Sequence, residues 1–351
     1  MALGFFIDLM ERGLIPENLV RAGIRKLCRE RLKSLAVVDR EIEQERNSAY
    51  VKDLKKSAIA FATEKANQQH YELPASFYKL VLGKRKKYSS GYWHAGCENL
   101  DDAEEAALEM TFARAEVIDG MRILDMGCGW GSVSLKLAEQ FPKSQIVGIS
   151  NSHSQRQYIL DQAAQRGLQN VTILTGDIST FAAPEDWFNG FDRVISVEML
   201  EHVRNYEKLF EQVSRWLKSD GKFFVHIFTH SRYAYPFETE GDDNWMGKYF
   251  FTGGQMPSHH LLSYFQKDLF LEQQWSWRGT HYQKTSEAWL QNMDNNREII
   301  LAIFREVYGA EEAERWFERW RVFFMSCAEL FGFNEGREWG VSHYLFKNRQ
   351  R

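Results

Sequence analysis

Cysteine is scarce: Cys28, Cys97, Cys128 and Cys327 are the only four in 351 residues. They are scattered without metal-ligand spacing, which fits a reducing compartment. Positive charge is not in excess either. The net charge is −4, so no global positive field argues for a nucleic-acid partner. No apolar run reaches the roughly 20 residues needed to span a bilayer. The first eight residues, Met1 to Asp8, lack the basic start and long apolar core of a secretory signal, and a soluble, cytoplasmic protein is the expectation. Internal repeats and low-complexity tracts are missing as well.

What remains is an ordinary globular composition, 44% hydrophobic and 26% charged, in a chain long enough for one large domain with insertions or two smaller ones. Aromatic residues are abundant, with 11 tryptophans and 25 phenylalanines. A phenylalanine-rich core and an aromatic-lined pocket both explain that excess.

One stretch organises the chain. Ile123-Leu124-Asp125-Met126 reads as a buried strand, Gly127-Cys128-Gly129-Trp130-Gly131 as a tight turn, and Val133 to Ala138 as the helix that follows. Gly127 and Gly129 tolerate positive φ and let the backbone approach a ligand, with amides at the helix start free to donate.

Before this stretch, residues 3 to 70 read as helices. Leu9, Leu14, Leu19, Ile24, Leu27 and Leu32 keep helical spacing, while Arg21, Arg25, Lys26, Arg29, Arg31 and Lys33 crowd the other positions. Such a segment lies on a membrane surface or forms the solvated face of a packed helix. His70 to Trp93 reads as a loop rich in aromatic and hydroxyl residues, including Tyr88-Ser89-Ser90-Gly91-Tyr92-Trp93. A helix from Leu100 to Ala115 follows, opened by Asp101-Asp102.

From residue 121 strands and helices alternate. Strands are expected at 122–126, 145–149, 171–175, 191–197 and 222–228, the last entered through a turn at Ser219-Asp220-Gly221. Residues 229–268 break the alternation with an aromatic, glycine-rich stretch too long for an ordinary connection, and an active-site cover is expected there. Strands at 269–277 and 341–347, with helices at 296–308 and 311–331 between them, complete an α/β sheet of seven strands.

Each polar motif falls at the carboxyl end of a strand, where open parallel sheets bind ligands. About 20 residues past the glycine turn, where dinucleotide sites place an acid, stands Asn151, which disfavours a nicotinamide cofactor. Asp177 ends the third strand and is placed to accept from an exocyclic amine; its bland reading is a cap or turn residue. Glu198-Met199-Leu200-Glu201-His202 puts two carboxylates and an imidazole directly after the fourth strand. Acids seldom sit there unless paired or working. A carboxylate with a raised pKa there would hold a cationic amine and take its proton. His202, titrating near neutrality, would share the task. The bland reading is that Glu201 and His202 cap the next helix. The spacing lacks the second histidine of a helical zinc motif, so no metal is expected.

These motifs carry a resemblance. Leu124 to Gly131, the Tyr88–Trp93 loop and Glu201-His202-Val203 resemble the S-adenosylmethionine-dependent cyclopropane-fatty-acid-synthase-like superfamily. Glu198-x-x-Glu201-His202 and Glu338-Trp339-Gly340-Val341-Ser342-His343 resemble, within it, plant-type coclaurine N-methyltransferases. The resemblance runs from about residue 5 to 348 and implies a Rossmann-like class I methyltransferase sheet, mostly parallel, with helices on both faces. It divides the chain into an N-terminal helical cover and cofactor-closing loop (1–115) and a core (116–351) carrying the 229–268 insertion.

The resemblance also implies a site. Tyr88, Ser89, Gly127 and Gly129 would meet the methionyl part of S-adenosylmethionine, with Asp125 at the head of the turn. Asn151 and Gln155 would face its ribose, and Asp177 and Ile178 would bracket adenine. Glu198, Glu201 and His202 would be catalytic. Cyclopropane synthases carry Cys where Ser90 stands and Gly at Glu198; their bicarbonate-binding His and Tyr match His226 and Tyr282, so Ser90, His226 and Tyr282 are expected at the substrate. The implied activity is methyl transfer to the nitrogen of a small aromatic or alkaloid-like amine. Alkylation of an unsaturated lipid chain, with peripheral membrane contact through the basic helix, is the alternative. A binding module without catalysis is a third reading, disfavoured by the intact acids. A homodimer is left open.

Overall fold

Apolar β-branched runs that end in polar residues build the central layer. The computed structural model describes residues 2–59, 73–241 and 244–349. Five strands, β1 (Arg122–Met126), β2 (Gln145–Ser150), β3 (Val171–Thr175), β4 (Phe191–Val197) and β5 (Leu217–His230), run parallel. Two short strands, β6 (Tyr235–Pro236) and β7 (Gln255–Met256), pair with each other in the insertion. The last two, β8 (Leu269–Arg278) and β9 (Trp339–Asn348), complete the main sheet, in which β9 runs antiparallel to both neighbours. Seven strands in the order β3-β2-β1-β4-β5-β9-β8 match the expected architecture. Ile123, Leu124 and Met126 are fully buried in the central strand, as a sheet covered on both faces requires.

The order of β2-β1-β4-β5 matters for function. Strand succession reverses between β1 and β4, and open α/β sheets hold ligands in the crevice at that switch point. The glycine turn follows β1 and the acidic turn follows β4, so the two motifs share that crevice.

Several local expectations change. Ser219-Asp220-Gly221 lies inside β5, between the pairs Phe191–Leu217 and Arg193–Lys222 where the register jumps. The His70–Trp93 stretch contains a helix, Ala75–Val81, entered through Pro74; its part at 70–72 lies outside the described residues, as do the helical expectations for 60–70. A helix at Thr280–Asn295 went unread, although Tyr282, Ser286, Trp289, Leu290 and Met293 bury one face at helical spacing.

The basic N-terminal helix, Glu17–Leu35, is not a free positive stripe. Arg21 pairs with Glu17, Glu287 and Glu329, and Arg25 with Glu329, so the basic face docks on acids of helices Thr280–Asn295 and Ala313–Gly332. That supports the packed-helix reading over a membrane surface. Among the described residues no helix is long and apolar enough to cross a membrane.

Candidate active site

The glycine turn is braced from below. Asp125 is fully buried in β1 and accepts from Ser134 Oγ at 2.6 Å, tying strand to helix. Burial pushes its carboxyl up to about 7. Gly127 and Gly129 both take positive φ, 87° and 51°, where side chains are strained. The Gly127 and Cys128 amides donate to Ile149 O, which ties the turn itself to β2. A Cβ at Gly127 would come within 2.8 Å of Met199, whereas one at Gly129 would meet nothing within 4 Å among the described residues. The turn therefore backs onto the acidic motif on one side and opens to space on the other.

Residues at the ends of β2 and β3 complete that half. Ser150 Oγ donates to Gln155 Oε1 at 2.7 Å, leaving Gln155 Nε2 a buried donor with no partner among the described residues. Thr175 Oγ1 is likewise unmatched. Asp177 Oδ1 accepts from the N–H and hydroxyl of Ser179, so one carboxylate oxygen closes a turn, as its bland reading supposed. Asn151 follows β2 and is half-buried, and Ile178 packs partly buried against the sheet core. Tyr88 joins the Tyr78–Trp130 ring pair and links its loop to the glycine turn. Open room at Gly129 and orphaned buried polar groups on the helix after β2 and at the end of β3 fit a polar, nucleoside-bearing ligand.

The acidic half is more tightly built. Glu198 follows β4 at φ 47°, a left-handed conformation unusual for a long side chain. Its Oε1 accepts from the Ser90 amide at 3.1 Å and faces His226 Nε2 at 3.2 Å, while Tyr282 OH donates to Oε2 at 2.6 Å. Burial raises its pKa; the Lys87 charge and the Tyr282 and Ser90 hydrogen bonds pull the other way. Glu201 is also buried. Its Oε1 accepts from the Phe228 amide at 3.0 Å, and its Oε2 is sealed from solvent without a partner among the described residues. Burial, then the charge of Glu198, raises it well above the ordinary carboxylate range.

His202 stacks on Phe251 of the insertion, rings 6.0 Å apart and 10° from parallel. Burial lowers its pKa to about 4, which corrects the expectation of titration near neutrality: at pH 7 the ring is neutral. Because the folded value lies below the ordinary 6.5, stability is full above pH 6.5 and is lost as pH falls towards 4. Replacing His202 with Phe should remove about 3 kcal/mol of that acid-side loss. Urea melts of both proteins from pH 7 to pH 4 measure the difference; identical slopes would show that His202 is not neutral and buried in the folded state.

Sequence reading missed Lys87. At the end of Lys84-Arg85-Lys86-Lys87 it looks like a solvated turn, yet it is completely buried. Its ammonium donates to Ser89 Oγ at 2.6 Å and Ser90 O at 2.7 Å, and burial lowers its pKa to about 8. No periodicity marked it. Helix Thr280–Asn295, also missed, clamps the same loop: Thr285 Oγ1 accepts from the Gly91 amide and Trp93 Nε1, and His281 Nδ1 from the Trp93 amide. Ser89, Ser90, Glu198, His226 and Tyr282 are thus brought together, with Glu201 and His202 beside them. Asn151, Gln155, Asp177 and Ile178 lie along the β2–β3 rim. Among the described residues no three His, Cys, Asp or Glu side chains group as metal ligands.

A reversed last strand, a glycine turn at the switch point and a dry acidic site opposite it define an S-adenosylmethionine-dependent methyltransferase. Residues 60–337 match the family described as mycolic acid cyclopropane synthetase, and the chain belongs to that family. Two curated relatives match nearly end to end. The (S)-coclaurine N-methyltransferase of Papaver somniferum is 37% identical, covering 97% of each chain. That of Thalictrum flavum subsp. glaucum is 35% identical, covering 97% of this chain and 94% of its own. A crystal structure of coclaurine N-methyltransferase bound to N-methylheliamine and SAH superposes with a TM-score of 0.91 at 32% identity, covering 99% of both chains.

Proposed function

We propose that this enzyme methylates the nitrogen of a small aromatic or alkaloid-like amine, with Glu198, Glu201 and His202 handling that nitrogen. One observation carries the reading: two carboxylates share a buried site, and one of their oxygens, Glu201 Oε2, has no protein partner among the described residues. Buried acids are costly unless matched by a cation. A cationic amine supplies that match, and the relatives' names point to the same chemistry.

Gly127, Gly129, Tyr88 and Ser89 would hold the methionyl end of the cofactor. Gln155 and Asn151 would meet its ribose, and Asp177 with Ile178 would flank adenine. Bound there, S-adenosylmethionine supplies a methyl group on a positively charged sulfur. Glu198, held by its hydrogen-bonding partners, stays in place as the fixed negative pole. Burial favours a proton on Glu201; as a cationic amine enters beside Oε2 that proton is released to solvent, because opposite charges in a low-dielectric site favour ionisation. Glu201 Oε2 then takes the proton from nitrogen, freeing the lone pair that an ammonium lacks. Neutral His202, fixed against Phe251, is a further acceptor at the same wall. Phe228, Phe237 and Phe251, whose rings touch one another, exclude water and offer faces to a cation. In this reading 229–268 is a cover over the site and 1–115 closes the cofactor side.

The deciding experiment supplies labelled S-adenosylmethionine with (S)-coclaurine, simpler aromatic amines and unsaturated phospholipid, and identifies the labelled product by mass. Label on an amine nitrogen is expected. Label in an acyl chain would overturn the proposal in favour of lipid alkylation. Cofactor binding with no product from any acceptor would revive the binding module.

A further inference from the structure

A continuous line of side chains runs from Glu198 along one face of the sheet to Arg114. His226 Nε2 lies 3.2 Å from Glu198 Oε1, His226 Nδ1 lies 2.9 Å from His343 Nε2, and His343 Nδ1 lies 2.9 Å from a terminal nitrogen of Arg114. Register places the two histidines opposite each other on β5 and β9. Both are fully buried. Arg114 sits in the last turn of helix Leu100–Arg114, its guanidinium 4.9 Å from the Trp275 ring and 5.8 Å from Trp277.

Direction follows from chemistry. A guanidinium has donors and no acceptor, so His343 Nδ1 must accept. A neutral imidazole that accepts at Nδ1 carries its proton at Nε2, and His343 therefore donates to His226 Nδ1. The same logic puts the proton of His226 on Nε2, aimed at Glu198. We infer that Arg114 is a positioning residue, which through His343 fixes the tautomer of His226 and so keeps an N–H donor pointed at Glu198. The inference rests on the reading of Glu198 as the amine-handling carboxylate.

Both rings are neutral: burial, together with the nearby charges of Lys87 and Arg114, pushes them well below the ordinary histidine range. The groups around them are Trp277 and Phe224; around Glu198 they are Lys87, Tyr282, Glu201 and Cys327. With the relay set, Glu198 receives three donors, from Ser90, His226 and Tyr282, and each favours carboxylate over carboxylic acid. Without Arg114 the opposite tautomer series becomes available. His226 Nε2 would then face Glu198 with a lone pair, which only a protonated carboxyl can satisfy, and an uncharged Glu198 holds a cationic amine weakly.

Two-bond 1H–15N correlation spectra of 15N-histidine-labelled protein report the tautomers directly. In the wild type both rings should carry the proton at Nε2. Arg114→Met should bring out the Nδ1–H form of His226 and lower kcat/KM for (S)-coclaurine about tenfold, mainly through KM, the loss expected for one hydrogen bond to a charged group. The acid limb of its pH profile should move to higher pH, with affinity for SAH unchanged. Arg114→Lys, still a donor-only cation, should keep the wild-type tautomers and lose distinctly less. An Nδ1–H tautomer on either ring of the wild type overturns the inference, as does equal loss in the Met and Lys variants, which would mark a packing role. If Arg114→Met fails to fold, the wild-type spectrum and Arg114→Lys still decide. If no amine is methylated by the wild type, the functional reading fails, while the spectra decide the relay on their own.

Discussion

Glu201→Gln should cost about 10²- to 10³-fold in kcat, as expected for a lost proton acceptor, while leaving the protein folded and SAH bound as before. Gln keeps the volume and keeps an oxygen for the Phe228 amide, which donates to Glu201 at 3.0 Å. It cannot take a proton. Stability provides a second, independent signature. A carboxyl whose folded pKa is raised contributes stability below its ordinary value of 4.5 and loses it as pH rises through the folded value. Gln has no such loss, so the variant should gain on the wild type as pH increases from 4.5. Chemical denaturation at pH 5 and pH 8 tests this, and single-turnover kinetics test the activity. A variant with wild-type turnover, or one that gains nothing at pH 8, would remove Glu201 from the proposed role.

The second large effect concerns Glu198, whose backbone sits at φ 47°. Strain of that kind costs on the order of 1 kcal/mol and persists where something over-determines it. Glu198→Gly and Glu198→Ala both delete the carboxylate, but only Gly adopts that φ freely. Gly should therefore be more stable than Ala by about 1 kcal/mol. Both should lose at least about 100-fold in kcat/KM for the amine, the scale of two lost hydrogen bonds to a charged group. Thermal unfolding and initial rates suffice. If the variants keep wild-type rates, the strained turn serves the fold alone. If Ala is as stable as Gly, the left-handed backbone is not held in solution.

Sequence and structure agree where signals are local. The strand that ends in Asp125, the glycine turn and the helix after it occupy consecutive residues, and each is specified by side chains within a few positions. The same holds for Glu198, Glu201 and His202, whose proximity follows from one short turn. Helix Thr280–Asn295 was legible in principle through its buried period but lay between stronger strand signals. Lys87 was not legible, because nothing in a run of four basic residues says which one turns inward; burial against Glu198 and the 88–90 backbone decides that.

The order and chemistry of the motifs along the chain were sufficient for the sheet and for the grouping of Glu198, Glu201 and His202 after its fourth strand. Three-dimensional packing alone decided which way burial and neighbours shift the protonation of those groups. His202 is neutral because burial disfavours its charged form, and part of that burial comes from Phe251, 49 residues away in the sequence. His226 and His343 meet because β9 folds back beside β5, and Arg114 reaches His343 across 229 residues of sequence. Protonation depends on burial and on neighbours in space, and neither is a property of a residue's position in the chain.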